Sequence, residues 1–180
     1  SRHPNALLRY AIDEREYERG RDVADPIRLY DASPIGDGAA ALLLVAADKA
    51  PSAVRVIGSA SATDTVSVHD REDILWLNAA ELSARRAYDQ AKVGPADIDL
   101  FELHDAFSIM AALSLEACGF AERGRGVRVG LDGDITLGGR IPISTMGGLK
   151  ARPASTSSWR PRCNCAGRPE RPRFPARASP

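Results

Sequence analysis

The helical pattern over Leu75–Lys92 constrains the fold more than any other feature of the chain. Apolar and small side chains, more than half of them alanines, recur on one face at helical spacing, and charged side chains lie elsewhere around the helix. Because alanine is small, this face can approach a sheet closely. Gly94 and Pro95 follow the pattern and are expected to end the helix.

Segments on either side of this helix are predicted to form strands and a second helix. Ala39–Ala47 is a continuous apolar run after a turn-rich stretch, which fits a strand buried on both faces or a buried helix. Val54–Ser59 and Ile98–Leu103 are predicted strands, and Asp105–Cys118 is a predicted helix. Strand, helix, strand and helix in this order indicate an α/β protein.

Local signals mark helix ends and one glycine-rich stretch. Asp105 is expected to cap the start of its own helix rather than to act as a catalytic acid, and Gly119 is expected to close that helix. A weaker helical pattern covers Ile12–Glu18. Six glycines between residues 127 and 150 allow the backbone to approach a ligand closely or to adopt positive φ.

Charge is unevenly distributed, although the formal net charge of the chain is +0. Residues 151–180 hold seven of the 24 basic residues but one of the 24 acidic residues, which leaves −6 on residues 1–150. An acidic body gives no electrostatic case for binding nucleic acid. Six of the 12 prolines also lie in residues 151–180, so disorder is expected there.

The positions of the cysteines and histidines argue against a disulfide-rich protein and against a metal-binding protein. Cys118, Cys163 and Cys165 are too few and too oddly placed for a disulfide framework, and no group of residues has metal-ligand spacing. No apolar run reaches the length of a membrane span, so we expect a cytoplasmic protein with no metal. His3 and His69 are expected at the surface, and Cys118 in the core.

Three motifs follow one another along the chain: Ser33-Pro-Ile-Gly-Asp-Gly-Ala-Ala-Ala41, Glu102-Leu-His-Asp-Ala-Phe-Ser108 and Ile143-Ser-Thr-Met-Gly-Gly-Leu-Lys-Ala-Arg152. Their order and separation resemble the thiolase superfamily, in the branch of sterol-carrier-type thiolases and acetyl-CoA acetyltransferases. The second motif resembles that branch's His-Asp-x-Phe form of Asn-Glu-Ala-Phe. The third resembles the segment that leads into Gly-His-Pro. The resemblance covers residues 3–152.

The resemblance implies part of a layered α/β/α thiolase fold. Residues 1–47 would be the end of the N-terminal domain, residues 48–152 an incomplete C-terminal domain, and residues 153–180 a disordered Arg/Pro-rich tail. Without the other half, the chain would expose apolar surfaces that pack against it in the family. An intact relative would be a homo-oligomer, either a dimer or a tetramer.

For activity, the resemblance implies acyl transfer between coenzyme A thioesters, by Claisen condensation or thiolysis, with acyl-CoA as substrate and no further cofactor. His104 aligns with the position that helps to hold the oxyanion-hole water. Residue type alone would favour a structural role for this histidine, and the motif around it reverses that preference. Met146, Gly147 and Gly148 would line the catalytic pocket, where the two glycines could otherwise be a plain turn.

The sequence departs from the family where the chemistry is performed. No cysteine precedes Cys118, so the nucleophilic Cys is absent, and Pro153 follows Arg152 where Gly-His-Pro would stand. Cys165-Ala-Gly167 imitates a Cys-x-Gly motif, but it follows Arg152 too closely and has no strand signal. We therefore expect the chain alone to be inactive.

Both ends of the chain are expected to be irregular. When residues 154–167 are back-translated through the degenerate genetic code, an adjacent reading frame can encode a helix similar to the one that follows Gly-His-Pro in the family. Our hypothesis is that a short deletion removed that loop and shifted the frame, and a nucleotide sequence that cannot spell this helix would exclude it. Because Ser1 stands in place of Met, we also expect an N-terminus that is cut or incompletely read.

Three functions stay open at this point. The first is thiolase-type acyl-CoA acyltransferase by descent. The second is a retro-aldol lyase that cleaves CoA esters of sterol side chains together with an OB-fold partner protein. The third is a non-catalytic remnant that binds lipid or CoA.

Overall fold

The computed structural model describes residues 10–36, 39, 41–51, 54–145 and 147–151. Within these ranges the elements are α1 (Glu14–Arg19), β1 (Asp22–Ala24), β2 (Ile27–Arg28), α2 (Asn78–Ala91), α3 (Ser108–Ala117), α4 (Gly126–Leu131) and α5 (Gly148–Ala151), with 3-10 turns at Val68–Asp70 and Pro95–Asp97. β1 and β2 pair antiparallel. None of the helices described here is long and apolar enough to cross a membrane. The predictions for His3 and for residues 153–180 fall outside the described residues.

The long helix predicted from the sequence is confirmed as α2, with slightly different ends. It begins three residues inside the predicted start, at Asn78, and its last residue is Ala91. Lys92 adopts a left-handed conformation with φ of 57°, and its backbone N–H donates to the carbonyl of Tyr88. This left-handed residue ends the helix, two residues before Gly94. The weaker pattern near the N-terminus is confirmed as α1, where the Asp13 carboxylate accepts a 2.7 Å hydrogen bond from Glu16 N.

The strand or buried helix predicted at Ala39–Ala47 and the strand predicted at Val54–Ser59 are both wrong for this structure. Their described residues lie in neither helix nor strand, and their apolar side chains are exposed: Leu43 is 87% exposed and Val56 is 72% exposed. A strand needs a hydrogen-bonded neighbour, and within the described ranges neither segment has one. Ile98–Leu103 is reduced to one parallel bridge, between Phe101 and Ile143. Helices and a short sheet are both present, whereas the layered α/β/α arrangement and the domain boundaries stay predictions.

The hydrophobic core of the described residues lies between α3 and the segments that carry Phe101 and Ile141. Leu115, Phe120 and Ile141 are buried, and Ile141 is 0% exposed. The rings of Phe101 and Phe120 stack in a tilted arrangement with centroids 4.9 Å apart. Because Phe101 and Ile143 both pack against this core, the chain segments that follow them start from fixed positions.

Helix α4 lies against α3 at a contact that only glycine allows. A Cβ on Gly126 would come within 2.3 Å of the Ala112 carbonyl oxygen, closer than any normal contact. Glu116 is 8% exposed, and its carboxylate accepts a 2.8 Å hydrogen bond from Gly126 N. The buried carboxylate therefore has a backbone partner, and it fixes the start of α4.

Helices α2 and α3 are joined through Tyr88 and Cys118. The Tyr88 hydroxyl donates a 3.0 Å hydrogen bond to the Cys118 carbonyl, and burial raises the pKa of Tyr88 to about 12. Cys118 packs against the core, as predicted, and burial raises the pKa of its thiol. Cys118 is also the C-cap of α3, and Gly119 follows with φ of 81°, which agrees with the predicted end of this helix.

Candidate functional site

The segment that carries His104 is anchored at both ends by backbone hydrogen bonds. At its start, Phe101 N donates to Pro142 O at 2.9 Å. At its end, the chain pairs antiparallel with the segment after β2, through a bridge between Ala32 and Phe107. His104 therefore lies between a core residue and the first turn of α3, close to the strand-to-helix junction predicted from the sequence.

His104 itself is exposed, and its imidazole has no hydrogen-bond partner among the described residues. A structural histidine is usually buried with a hydrogen-bonded ring, because an unsatisfied ring nitrogen in the interior is costly. The exposed imidazole can donate to or accept from a bound group. His69, for comparison, lies in a 3-10 turn and is exposed, as predicted.

Residues 143–145 and 147–149 lie next to this segment, and we call them the glycine loop. Its backbone is unusual at Ser144, Gly147 and Gly148, which have φ of 44°, 107° and 65°. Gly147 N donates a 2.7 Å hydrogen bond to Ser144 O. The positive φ predicted for glycines in this stretch is confirmed at Gly147 and Gly148. Met146, the third residue predicted to line the pocket, lies outside the described residues.

Two carboxylates join the glycine loop to the His104 segment. Glu102 Oε1 accepts hydrogen bonds from the backbone N and the hydroxyl of Thr145, at 2.7 and 2.6 Å. Asp105 Oδ1 accepts from Leu149 N at 2.8 Å. The structure thus brings the segments of His104, Gly147 and Gly148 together.

The prediction that Asp105 caps its own helix is wrong. Helix α3 starts only at Ser108, its N-cap is Phe107, and no side chain caps it. Asp105 lies too far upstream to reach the first free N–H groups of α3, and its carboxylate bonds to the N-terminal turn of α5 instead. No sequence-local rule identifies a cap that comes from 44 residues away.

The structural role of a further residue, Asp31, was missed from the sequence because Asp31 reads as part of a turn. Its carboxylate accepts hydrogen bonds from Tyr17 Oη at 2.8 Å, Arg28 N at 3.0 Å and Ser108 Oγ at 2.8 Å. Burial, the largest influence, acts to raise the pKa of Asp31, but the bonds from Arg28, Ser108 and Tyr17 together hold it below its ordinary value. Asp31 thereby joins the α1 and hairpin region to the start of α3.

The described part of the chain shows no cluster of three His, Cys, Asp or Glu side chains that could hold a metal ion. What the site offers instead is an exposed imidazole beside a loop whose backbone is held in a fixed shape. An arrangement of this kind can donate hydrogen bonds to a polar group of a ligand.

Residues 60–157 match the profile of the family described as "Thiolase C-terminal domain-like", which is more than half of the chain. The chain belongs to this family. Thiolase relatives extend the similarity beyond this segment. This chain is 44% identical over 156 residues to "Acetyl-CoA acetyltransferase" of Methanothermobacter thermautotrophicus. The alignment covers 84% of this chain and 41% of the relative.

More distant thiolase relatives show the same pattern. "Benzoylsuccinyl-CoA thiolase subunit BbsB" of Thauera aromatica is 32% identical over 155 residues, which cover 82% of this chain and 39% of the relative. "Sterol carrier protein 2" of Bos taurus is 32% identical over 149 residues, which cover 78% and 27%. This thiolase-family chain thus spans less than half the length of these relatives.

A solved structure has the same fold. "Ltp2-ChsH2(DUF35) aldolase" superposes with a TM-score of 0.70 at 23% sequence identity, covering 83% of this chain and 42% of that chain. At this identity the likeness shows the fold alone. The thiolase resemblance stated from the three motifs is confirmed by the family match and by the relatives.

Proposed function

We propose that the chain takes part in acyl transfer between coenzyme A thioesters, as one wall of a thiolase-type active site. The 44% identity to an acetyl-CoA acetyltransferase, across the motifs that carry His104 and the glycine loop, supports this proposal most strongly. The acyltransferase is preferred over the retro-aldol lyase because three relatives above 30% identity have acyltransferase or thiolase names, and two of them are called acetyl-CoA acetyltransferase. The aldolase likeness is one of fold.

In the proposed site, His104 helps to stabilise the thioester oxygen as it becomes negative, directly or through a water molecule. Donors aimed at a developing oxyanion lower the barrier because their orientation is already set when the charge appears. The backbone of Gly147 and Gly148, with Met146, forms the pocket next to it. We propose that the nucleophilic Cys and its activating His come from residues outside these 180, so that the chain alone does not turn over.

Two measurements on the full chain test the binding half of the proposal. Isothermal titration with acetyl-CoA should show saturable binding that weakens in His104→Ala and is unchanged in the matched control His69→Ala, since His69 is also exposed but far from the motif in sequence. Thiolysis of acetoacetyl-CoA by the same preparation should not exceed the rate of a blank. Robust turnover would contradict the proposal that nucleophile and base lie elsewhere.

A chimera tests the catalytic half. Residues 10–145 of this chain would replace the matching segment of the Methanothermobacter acetyltransferase, whose remaining residues would supply the missing catalytic groups. The chimera should thiolyse acetoacetyl-CoA, and His104→Ala within it should lower kcat by roughly a hundredfold, the scale for loss of one oxyanion donor. Replacement by Asn, which keeps an amide donor, should retain more activity than Ala. A folded chimera with full activity in His104→Ala would refute the proposed role.

A further inference from the structure

Two acidic residues flank His104, and each bonds to a different end of the glycine loop. Glu102, two residues before His104, holds Thr145 at the entry of the loop through two hydrogen bonds of 2.7 and 2.6 Å. Asp105, one residue after His104, holds Leu149 at the exit through a bond of 2.8 Å. The loop is thus tied on both sides of its two glycines to the same short segment that presents the imidazole.

The loop needs such restraint because its own sequence does not select its shape. Ser144 lies at φ of 44°, a region that is unfavourable for a non-glycine residue. Gly147 and Gly148 have φ of 107° and 65°. Glycine can adopt many other backbone conformations, so it loses more conformational entropy than any other residue when it is fixed in one of them. Strained and flexible backbone persists in one shape only where the surroundings impose it.

Asp105 and Gly148 fit one another closely. A Cβ placed on Gly148 would lie 2.0 Å from Asp105 Oδ2, so no larger residue fits at position 148 while the carboxylate keeps its place. A carboxylate suits the role because both of its oxygens accept, and a charged acceptor makes a shorter and stronger bond to backbone N–H than a neutral one. The glycine is therefore explained by the aspartate opposite it as well as by its φ.

We infer that Glu102 and Asp105 are positioning residues: they clamp the glycine loop onto the His104 segment, so that the imidazole and the backbone of Gly147 and Gly148 form one preformed unit. The benefit to acyl transfer rests on the proposed function, in which donors must be held within fractions of an ångström of a developing oxyanion. The clamp consists of hydrogen bonds within this chain, so it can be tested without any substrate.

Backbone hydrogen exchange in the full chain tests the clamp directly. Asp105 is half-buried, so Asp105→Ala should speed exchange at Leu149 by about tenfold, the scale of one lost bond to a charged acceptor. Glu102 is exposed and water competes for its bonds, so Glu102→Ala should speed exchange at Thr145 by about threefold. Asp99→Ala is the matched control, because Asp99 is exposed in the same stretch of chain and forms no side-chain hydrogen bond to a described residue.

Two readouts distinguish positioning from a general structural role. The imidazole NMR signals of His104 should shift in both alanine variants while those of His69 stay unchanged, and exchange in α2 should stay at the wild-type rate. Asp105→Asn and Glu102→Gln, which keep a carbonyl acceptor, should restore most of the loop protection. Unchanged exchange in the loop, or faster exchange throughout the chain including α2, would overturn the inference.

Acetyl-CoA binding, measured on the same variants, separates this inference from the proposed function. Weaker binding in the alanine variants, recovered in Asp105→Asn and Glu102→Gln, supports both. A wild-type chain that does not bind acetyl-CoA contradicts the proposed function, and the exchange rates then still decide whether the clamp exists. Faster loop exchange with unchanged binding overturns the assignment of the clamp to the ligand site.

Discussion

Substitution of Asp31 by alanine should destabilise the chain substantially, because one carboxylate joins three parts of the structure. It accepts bonds of 2.8, 3.0 and 2.8 Å from Tyr17, Arg28 and Ser108. A bond to a charged group contributes about 1.5–3 kcal/mol when buried, and Asp31 is only half-buried, so water replaces part of the loss. The expected decrease in the free energy of unfolding is about 2–3 kcal/mol in total.

The contribution of Asp31 to the free energy of unfolding should depend on pH, because it depends on the charge of the carboxylate. The folded state holds the pKa of Asp31 below its ordinary value, so its contribution to stability is present above the unfolded pKa of about 3.9. That contribution is lost as the pH falls through the lower folded pKa. The difference in stability between wild type and Asp31→Ala should therefore be larger at pH 7 than at pH 2.

Urea unfolding followed by far-UV circular dichroism, between pH 7 and pH 2, measures this difference. Asp22→Ala is the matched control: Asp22 lies in the same hairpin and makes an exposed ion pair of 3.7 Å with Arg28, which should contribute at most about 0.5 kcal/mol. The reasoning is refuted if Asp31→Ala costs no more than Asp22→Ala at pH 7. A large loss that does not change with pH would refute the role of the charge.

Three other predictions concern single positions. Gly126→Ala should lower the free energy of unfolding by about 1–3 kcal/mol in a urea titration, because the new methyl group would overlap the Ala112 carbonyl, and unchanged stability would contradict the close helix contact. Cys118 should react with iodoacetamide more slowly at pH 8 in the native chain than in guanidinium, because burial raises the pKa of its thiol and lowers the thiolate fraction. Peptide mass spectrometry measures the rate of alkylation at Cys118, and equal rates in the two conditions would disprove the burial. Ser144→Gly should stabilise the chain by about 1 kcal/mol, because it relieves a φ of 44° and removes a buried hydroxyl that has no partner in the described structure; a lower urea midpoint would contradict this.

Helices were predictable from the sequence because their signals are local. α2 shows its apolar face and its end within one stretch of chain, and the observed bounds differ from the prediction by a few residues. Helix α4, in contrast, was not predicted. It is six residues long, contains glycine at two positions, and depends on its contact with Ala112 and Glu116. A helix this short is stabilised by packing more than by propensity, so its own sequence is a poor guide.

Strands were the main failure, for a related reason. The apolar run at Ala39–Ala47 has the composition of a buried strand, but a strand exists only with a hydrogen-bonded neighbour. Within the described ranges no neighbour pairs with it, and Leu43 and Leu44 remain 87% and 70% exposed. The composition of this segment therefore shows that it could be buried, but no described part of the chain covers it.

The sequence motifs identified residues of the candidate site, but they did not predict the contacts between the segments that carry them. Motif resemblance singled out His104, Gly147 and Gly148 from the sequence, but the bonds of Glu102 and Asp105 to the glycine loop span more than 40 residues of chain. The resulting arrangement argues against a structural histidine, because the backbone on both sides of His104 is anchored while the imidazole is exposed. Because its backbone is anchored and its imidazole is exposed, His104 can contact a bound ligand. That combination supports the proposed role in stabilising a thioester oxygen more than the motif alone does.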